Sequence, residues 1–484
     1  MLEAFQQFWA ELIALATLVL TIVLSVGVIL RKRNERSALG WLGVILLSPP
    51  LGSLAFLLLG INRIRRRAQK TLNPDQMDLV DGREESGLPL QLTSGASPAG
   101  DRDLPRLARF VDQIVERPLV DGNQIDPLVD GGVAYPRMIE AIDSAERLVV
   151  LATYIFRRDD VGAAFIAALG RAKRRGVVVK VLIDGAGSHY SWPTVMQDLL
   201  DEGVDAARFL HSFWPWQMPY LNLRSHRKLL VIDGRIGFTG GMNITGKHAP
   251  KGDGNVHYRD VHFELKGPIV GQLLDVFEDD WHFTTGETPD AGIWLKDSSP
   301  AGAMHARAIS DGPDDATDSL RWAMLGALTQ ADQRISIATP YFVPDQQLAT
   351  ALCLAALRGV EVDIVMPANN NLPFVKWAST SRMDELLVSG CRLWMSQPDF
   401  DHSKLFAVDG TWSLIGSANW DERSLRLNFE LNVECYDSAL AAEIHEMIDQ
   451  RRAMSQPVTL EKLNARSLPV KFRDGVARLF SPYL

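Results

Sequence analysis

The chain opens on a nearly unbroken apolar run. Between residues 8 and 30 only Glu11 and a few small polar residues interrupt it, a length that crosses a bilayer as a helix. A second apolar run, residues 38–61, is broken at Ser48-Pro49-Pro50 and closed by "NRIRRRAQK". Two N-terminal membrane helices are expected within residues 1–70. A cleaved signal peptide is the weaker reading, because no basic region precedes the first run and no A-x-A-like site closes it. Both the intervening loop (Arg31, Lys32, Arg33, Arg36) and the segment after the second run (Arg63, Arg65, Arg66, Arg67, Lys70) are basic. The positive-inside rule puts both on the cytoplasmic side, which a simple second span cannot satisfy and a re-entrant bend at Pro49 and Pro50 can. The expectation is a multi-pass membrane protein with its body on the cytoplasmic side.

Residues 71–104 carry Gly, Pro, Ser and Asp without a sustained apolar period and read as a tether. Beyond them the period switches between two and 3.6. "RLVVLATYIF" (147–156) reads as a strand, "GAAFIAALGRAKRRG" (162–176) as a helix and "VVVKVLIDG" (177–185) as a strand. The same order returns at 334–343, 346–359 and 360–367. In each copy the helix ends on a glycine followed at once by a valine, Gly176-Val177 and Gly359-Val360, which is β-α-β construction. The fold class expected is α/β, with two homologous sandwich halves, residues 105–300 and 301–484, about a pseudo-twofold axis.

Composition narrows the chemistry. Residues 1–70 hold nine Lys or Arg against three Glu, which leaves the rest of the chain at a net charge of −15. An acidic body argues against nucleic acid as the partner. Cys353, Cys391 and Cys435 lie in or beside apolar runs and form no C-x-x-C pair, so they read as core thiols and not as a disulfide framework or a zinc site.

One element recurs in both halves, "HRKLLVIDG" from His226 and "HSKLFAVDG" from His402. A single chance H-x-K-x-x-x-x-D in a chain of this length has a probability of roughly 0.02 on average composition, and two at equivalent places in a repeat are far rarer. Side chains alternate along a strand, so His226 faces the same way as Lys228, and His402 the same way as Lys404. Asp233 and Asp409 stand at the hairpin turns, either as chemical groups or as turn-formers and partners of buried charge. Each return strand ends on small residues and an asparagine, Asn243 or Asn419, whose amide is a further donor. Downstream, "YRDVHFEL" and "NFELNVEC" put Asp260 and Glu430 at the heads of matching strands, where each carboxylate can orient an imidazole through Nδ1. About a twofold axis, two His, two Lys and two Asn converge on a pocket suited to a phosphate. The lysines and amides stabilise a five-coordinate transition state without a metal or cofactor. One histidine attacks phosphorus and the other protonates the leaving alkoxide.

These paired elements resemble the signature of the phospholipase D superfamily, and with "ATYIF", the N-terminal apolar pair and the C-terminal "RLFSPYL" they resemble its membrane-anchored bacterial cardiolipin synthase family along essentially the whole chain. The resemblance implies a reversible transfer of a phosphatidyl group from one phosphatidylglycerol to another in the bacterial inner membrane, giving cardiolipin and glycerol. It assigns His226 as nucleophile and His402 as general acid, with Lys228, Lys404, Asp233, Asp409, Asn243, Asn419, Asp260 and Glu430 in the family's site positions. Hydrolysis by a phospholipase D and transfer to serine by a phosphatidylserine synthase use the same constellation, because acceptor choice depends on water exclusion and pocket shape. A catalytically dead lipid-binding scaffold is expected to have lost a His or Lys, and none is lost. Ahead of the first motif, Phe213, Trp214, Trp216 and Tyr220 suit either a membrane-facing lip or ordinary core packing. Phe374 and Trp377 are candidates for an opposite lip.

Overall fold

The computed structural model describes residues 2–31, 35–57, 104–210, 223–250, 258–288, 294, 296–297, 299–312, 318–396 and 399–481. The chain divides into two compact units, residues 1–72 with 212–222, and the remainder. Of the expected aromatic lip, Phe213, Trp214, Trp216 and Tyr220 lie outside the described residues, as does most of the 71–104 tether.

In the first unit, Leu2–Arg31 is one helix, and its stretch Phe5–Leu30 is long and apolar enough to cross a membrane. At 1.5 Å per residue it is about 39 Å long, more than the hydrocarbon core requires. The second apolar run departs from the expected spanning helix. It forms two short helices, Glu35–Leu47 and Pro49–Ala55, with Ser48 at φ −140° and ψ 68° between them. Pro49 and Pro50 have no N–H to donate back to the preceding turn and clash with its carbonyls, so the chain folds over. Gly52 then lies directly against the Val44 carbonyl, where a Cβ has no room. Ile45 and Phe56 from the two arms join Leu24 and Val28 of the long helix in one apolar cluster. The bend is the one the prolines suggested, and the second membrane helix is replaced by a helical hairpin.

The second unit is built on one sheet of 16 strands among the described residues. In the first half the strands run, from centre to edge, Val120–Val129, Val261–Lys266, Ile236–Gly240, Leu229–Ile232, Leu148–Thr153, Val178–Asp184 and Asp205–Phe209. The second half repeats this order with Met304–Asp311, Asn428–Tyr436, Trp412–Gly416, Leu405–Val408, Arg334–Ala338, Glu361–Pro367 and Arg392–Ser396, and adds Ser455–Pro457 at the edge. The halves join where Val120–Val129 pairs antiparallel with Met304–Asp311. The β-α-β units appear as read: Leu148–Thr153, helix Asp160–Arg174 and Val178–Asp184 in one half, and Arg334–Ala338, helix Gln346–Leu357 and Glu361–Pro367 in the other, each with its strand pair parallel. Gly176 and Gly359 end the helices at φ +88° and +95°, a conformation that costs little only without a Cβ.

Each half is a sandwich with its own outer core, around Phe165, Leu169 and Val181 in the first and around Leu328, Leu352 and Ile364 in the second. A third core spans both halves and includes Leu273 and Phe277 of helix Ile269–Thr285 together with Ile444 and Ile448 of helix Ser438–Ala453. The boundary drawn at residue 105 needs one correction. Helix Leu104–Asp112 precedes the first half in sequence, yet Leu107, Ala108 and Val111 pack into the second half's core. Cys353, Cys391 and Cys435 are buried thiols.

Candidate active site

Short strands bring the two motifs together by crossing between the halves. Arg224–Ser225, just before His226, pairs in parallel with Asn428–Phe429, just before Glu430. Phe400–Asp401, just before His402, pairs in parallel with Tyr258–Arg259, just before Asp260. The His226 N–H donates to the Phe429 carbonyl at 2.9 Å and the His402 N–H to the Arg259 carbonyl at 2.7 Å. Each histidine therefore meets the carboxylate of the opposite half. His226 Nδ1 lies 3.0 and 3.1 Å from the two oxygens of Glu430, and His402 Nδ1 lies 2.8 Å from Asp260 Oδ2. With Nδ1–H donated to a carboxylate, each ring keeps its Nε2 lone pair for the pocket.

His226, Lys228, His402, Lys404, Asp260 and Glu430 are all buried, and burial sets their charge. It pulls His226 down to about 4, with Lys228 lowering it further and Glu430 opposing. His402 is pulled well below the usual histidine range by burial, Lys404 and Lys228. Burial thus disfavours the charged form of both rings. Burial also drops Lys228 to about 7, with Lys404 adding to the fall and Glu430 resisting it. Burial alone would raise Glu430, but His226, Lys228 and the Ser417 hydroxyl outweigh it and hold the carboxylate at about 2. Ser417 Oγ donates to Glu430 at 2.5 Å and Asn428 Nδ2 at 3.1 Å. Asp260 has fewer donors, and burial prevails over Lys404 and His248 to raise it to about 6. Burial lowers Lys228 and Lys404 alike, and a bound phosphodiester anion beside them would favour their charged forms.

The lysines are anchored alike, with Lys228 Nζ and Lys404 Nζ each 2.6 Å from the carbonyl of the histidine two residues before. Lys404 Nζ also lies 3.1 Å from His402 Nδ1, but that nitrogen's proton is committed to Asp260, so the contact is electrostatic. Asn243 Oδ1 accepts from the Ile155 N–H at 3.2 Å. Asn419 Nδ2 is 3.3 Å from Ser424 Oγ, and its Oδ1 is buried without a hydrogen-bond partner among the described residues. Tyr154 packs edge-on to His226 and under Lys228, while Tyr341 and Phe400 flank His402.

Of the two readings open for Asp233 and Asp409, their contacts are those of turn-formers. They sit at the far end of the strands that follow the lysines, in left-handed backbone at φ +53° and +51°. Asp233 accepts from the N–H groups of Glu146, Arg147 and Leu148 at 2.9, 2.8 and 2.8 Å. Asp409 does the same for Asp332, Gln333 and Arg334 at 3.0, 2.8 and 2.8 Å. Each carboxylate thus pins the start of the neighbouring strand. Asp233→Ala is expected to lose about 2–4 kcal/mol of stability, since hydrogen bonds to a charged group contribute roughly 1.5–3 kcal/mol each and partly re-form with water. A denaturation midpoint shift with the per-molecule turnover of the folded fraction preserved checks this.

The motif reading passed over His248, which is buried. It stands five residues after Asn243, where the other half has Ser424 five residues after Asn419, so aligning the two motif tails would have exposed the difference. His248 Nδ1 donates to the Tyr258 carbonyl at 3.2 Å, and its ring centroid is 5.9 Å from that of His402. His248, Asp260 and His402 bring nitrogen and oxygen atoms within 4.8 Å of one another. A metal ion there would face the Lys404 ammonium and break the His402–Asp260 bond, so the trio suits proton transfer better than metal binding.

Residues 138–281 and 324–452 match the family described as "Cardiolipin synthase, PLD-like domain", once for each half, and residues 19–60 match "Phospholipase_D-nuclease N-terminal". A cardiolipin synthase of Geobacillus kaustophilus is 30% identical over 99% of this chain and 95% of its own length. One from Staphylococcus aureus is 29% identical over 94% and 93%. In fold, the phosphatidylserine synthase of Haemophilus influenzae superposes with a TM-score of 0.61 at 16% identity, over 78% of this chain and 100% of its own. The two motifs, their crossed carboxylates and the full-length kinship agree: the chain belongs to the cardiolipin synthase family of phospholipase D-like phosphatidyltransferases.

Proposed function

We propose that the chain takes phosphatidylglycerol as both donor and acceptor at the bacterial inner membrane. The observation that carries the reading is the pair of buried imidazoles, each held through Nδ1 by the opposite half's carboxylate. His226 Nε2 attacks the phosphodiester phosphorus, the bond to the headgroup glycerol oxygen breaks, and His402 delivers a proton to that oxygen. Phosphatidyl-His226 and glycerol result. A free hydroxyl of a second phosphatidylglycerol then gives its proton to His402 and attacks phosphorus, the P–N bond breaks, and cardiolipin leaves. Lys228 and Lys404 hold the nonbridging oxygens. His402 must gain its proton in the substrate complex, and the incoming phosphate's negative charge raises its basicity for that purpose. His248 at its side supports His402 as the acid, because a second base stands where that proton is handled. The basic residues on both sides of the helical hairpin favour a cytoplasmic body held by one spanning helix and a re-entrant hairpin, in place of two full spans.

The scheme is tested by exchange. Labelled glycerol supplied to the protein in phosphatidylglycerol vesicles should enter the phosphatidylglycerol pool, since the covalent intermediate accepts glycerol in reverse. Cardiolipin formation without such exchange would refute the double displacement. A pH dependence follows from Lys228. Because its ordinary value of 10.5 falls to about 7, kcat/KM should decline as pH rises through about 7, while kcat, measured with the phosphate anion already bound, should hold to higher pH. His248→Gln should slow glycerol departure about tenfold, less than the roughly 10²–10⁴ of a group that itself transfers the proton, because His248 acts through His402. With a nitrophenyl leaving group, which needs no acid, it should change little. Turnover should survive exhaustive chelation, because the lysines already supply the positive field a metal would provide.

A further inference from the structure

The second half carries a surface feature that the reaction does not use. Helix Leu468–Leu479 buries Asp474 and Ala477 against the body, where Ala477 packs with Val343, Val375 and Ala378. Its outward side is apolar: Leu468 is 81% exposed, Phe472 75% and Leu479 74%, with Phe480 next to it at 50%. At 100° per residue, Leu468, Phe472, Gly475 and Leu479 fall within about 60° of one another, and Lys471 and Arg478 line one flank of that stripe. Phe374, itself partly exposed, meets Phe480 at 5.7 Å between ring centroids and widens the apolar face onto helix Pro373–Thr380. Soluble surfaces rarely leave so many large side chains uncovered on one short helix.

We infer that this face is a second membrane contact, lying in the headgroup layer of a bilayer that contains anionic lipid. Charge selects the occupant. Residues 460–484 hold five basic and two acidic residues, in a body whose net charge is −15 beyond residue 70. Apolar residues on one face with Lys and Arg along the flank is the pattern of an interfacial helix. Beside it, Lys376, Trp377, Arg466 and Arg473 line a surface cavity of about 450 Å³, with the Arg473 guanidinium 4.5 Å over the Trp377 ring. Asp474 pairs with Arg466 and Arg473, which leaves Lys376 as the cavity's cation without a carboxylate partner among the described residues; it donates to the Ala368 carbonyl at 2.8 Å. The buried side of the helix leads toward the catalytic pocket. Tyr341, which packs against the same small cluster, donates its hydroxyl to Asn371 at 2.7 Å and turns its ring edge to His402.

The test reads lipid contact directly and does not depend on turnover. The native cysteines are buried, so Phe472→Cys in the full chain can carry an NBD probe, with Leu357→Cys as control. Leu357 is 69% exposed and ends helix Gln346–Leu357, away from the strand ends that carry the histidines. In vesicles of phosphatidylcholine and phosphatidylglycerol with a doxyl-labelled lipid, the probe at 472 should shift to the blue and lose emission, and the probe at 357 should do neither. Adding Lys471→Glu and Arg478→Glu should restore emission at 472. Equal quenching at both positions, or none at 472, would overturn the inference. So would a blue shift at 472 that ignores the doxyl lipid and grows with protein density, since a second copy of the chain would then be the occupant.

Discussion

His226→Ala should abolish cardiolipin formation, a loss of about 10⁴ or more in kcat, as expected when a covalent nucleophile is removed. His402→Ala should look equally dead on phosphatidylglycerol, so the two are told apart by the leaving group. A nitrophenyl phosphatidyl ester departs without a proton. It should restore first-step labelling in His402→Ala and leave His226→Ala inert, because the latter cannot form the P–N bond. Acid-labile, alkali-stable label should then accumulate on residue 226. Label trapped on His402 in the His226→Ala protein, and absent from the converse variant, would exchange the two roles.

The second large effect is expected from a carboxylate that lies 204 residues from the histidine it serves. Glu430 accepts from His226 Nδ1, Ser417 and Asn428 while standing buried beside Lys228. Glu430→Gln keeps the shape but can offer its NH₂ to Nδ1, which favours the tautomer with its proton on Nε2 and removes the attacking lone pair. A comparable tautomer error in a hydrolase triad costs about 10⁴ in kcat, and a fall of 10²–10⁴ is expected here. The pH profile should change with it, because the imidazole loses its counter-charge. Asp260→Asn should act through His402 instead, and its deficit should shrink on the nitrophenyl ester where that of Glu430→Gln does not. Initial rates of both variants on both substrates check the pairing across the halves.

The repeat, the β-α-β units, the motif histidines and lysines and the two orienting acids were legible because each is written in local sequence: a period, a glycine at a helix end, a spacing. What escaped depends on contacts distant in sequence. Nothing in "YRDVHFEL" says that Asp260 serves the histidine 142 residues later and not the one in its own half. That exchange arises from the parallel pairing of Tyr258–Arg259 with Phe400–Asp401. Asp233 and Asp409 share a motif with the catalytic groups but are seven residues past the histidine, beyond a four-residue strand, which carries them away from the pocket and onto the neighbouring strand's free N–H groups. His248 was invisible as a lone histidine in a polar loop. The second apolar run gave its length and its prolines, but whether a proline kinks a span or folds it back is decided by what the two arms can bury, here Ile45 and Phe56 against the long helix. Helix Leu104–Asp112 shows the same limit, since its amphipathic face does not name the half that covers it.

The central claim is transfer between two molecules of one lipid through a site assembled by both halves. It is tested most directly by giving the purified full-length chain phosphatidylglycerol vesicles alone and measuring the products. Cardiolipin and free glycerol in equal amounts, with negligible phosphatidic acid, is the expected result. Phosphatidic acid as the main product, with little cardiolipin at any lipid density, would mean that water is the acceptor and would contradict the account.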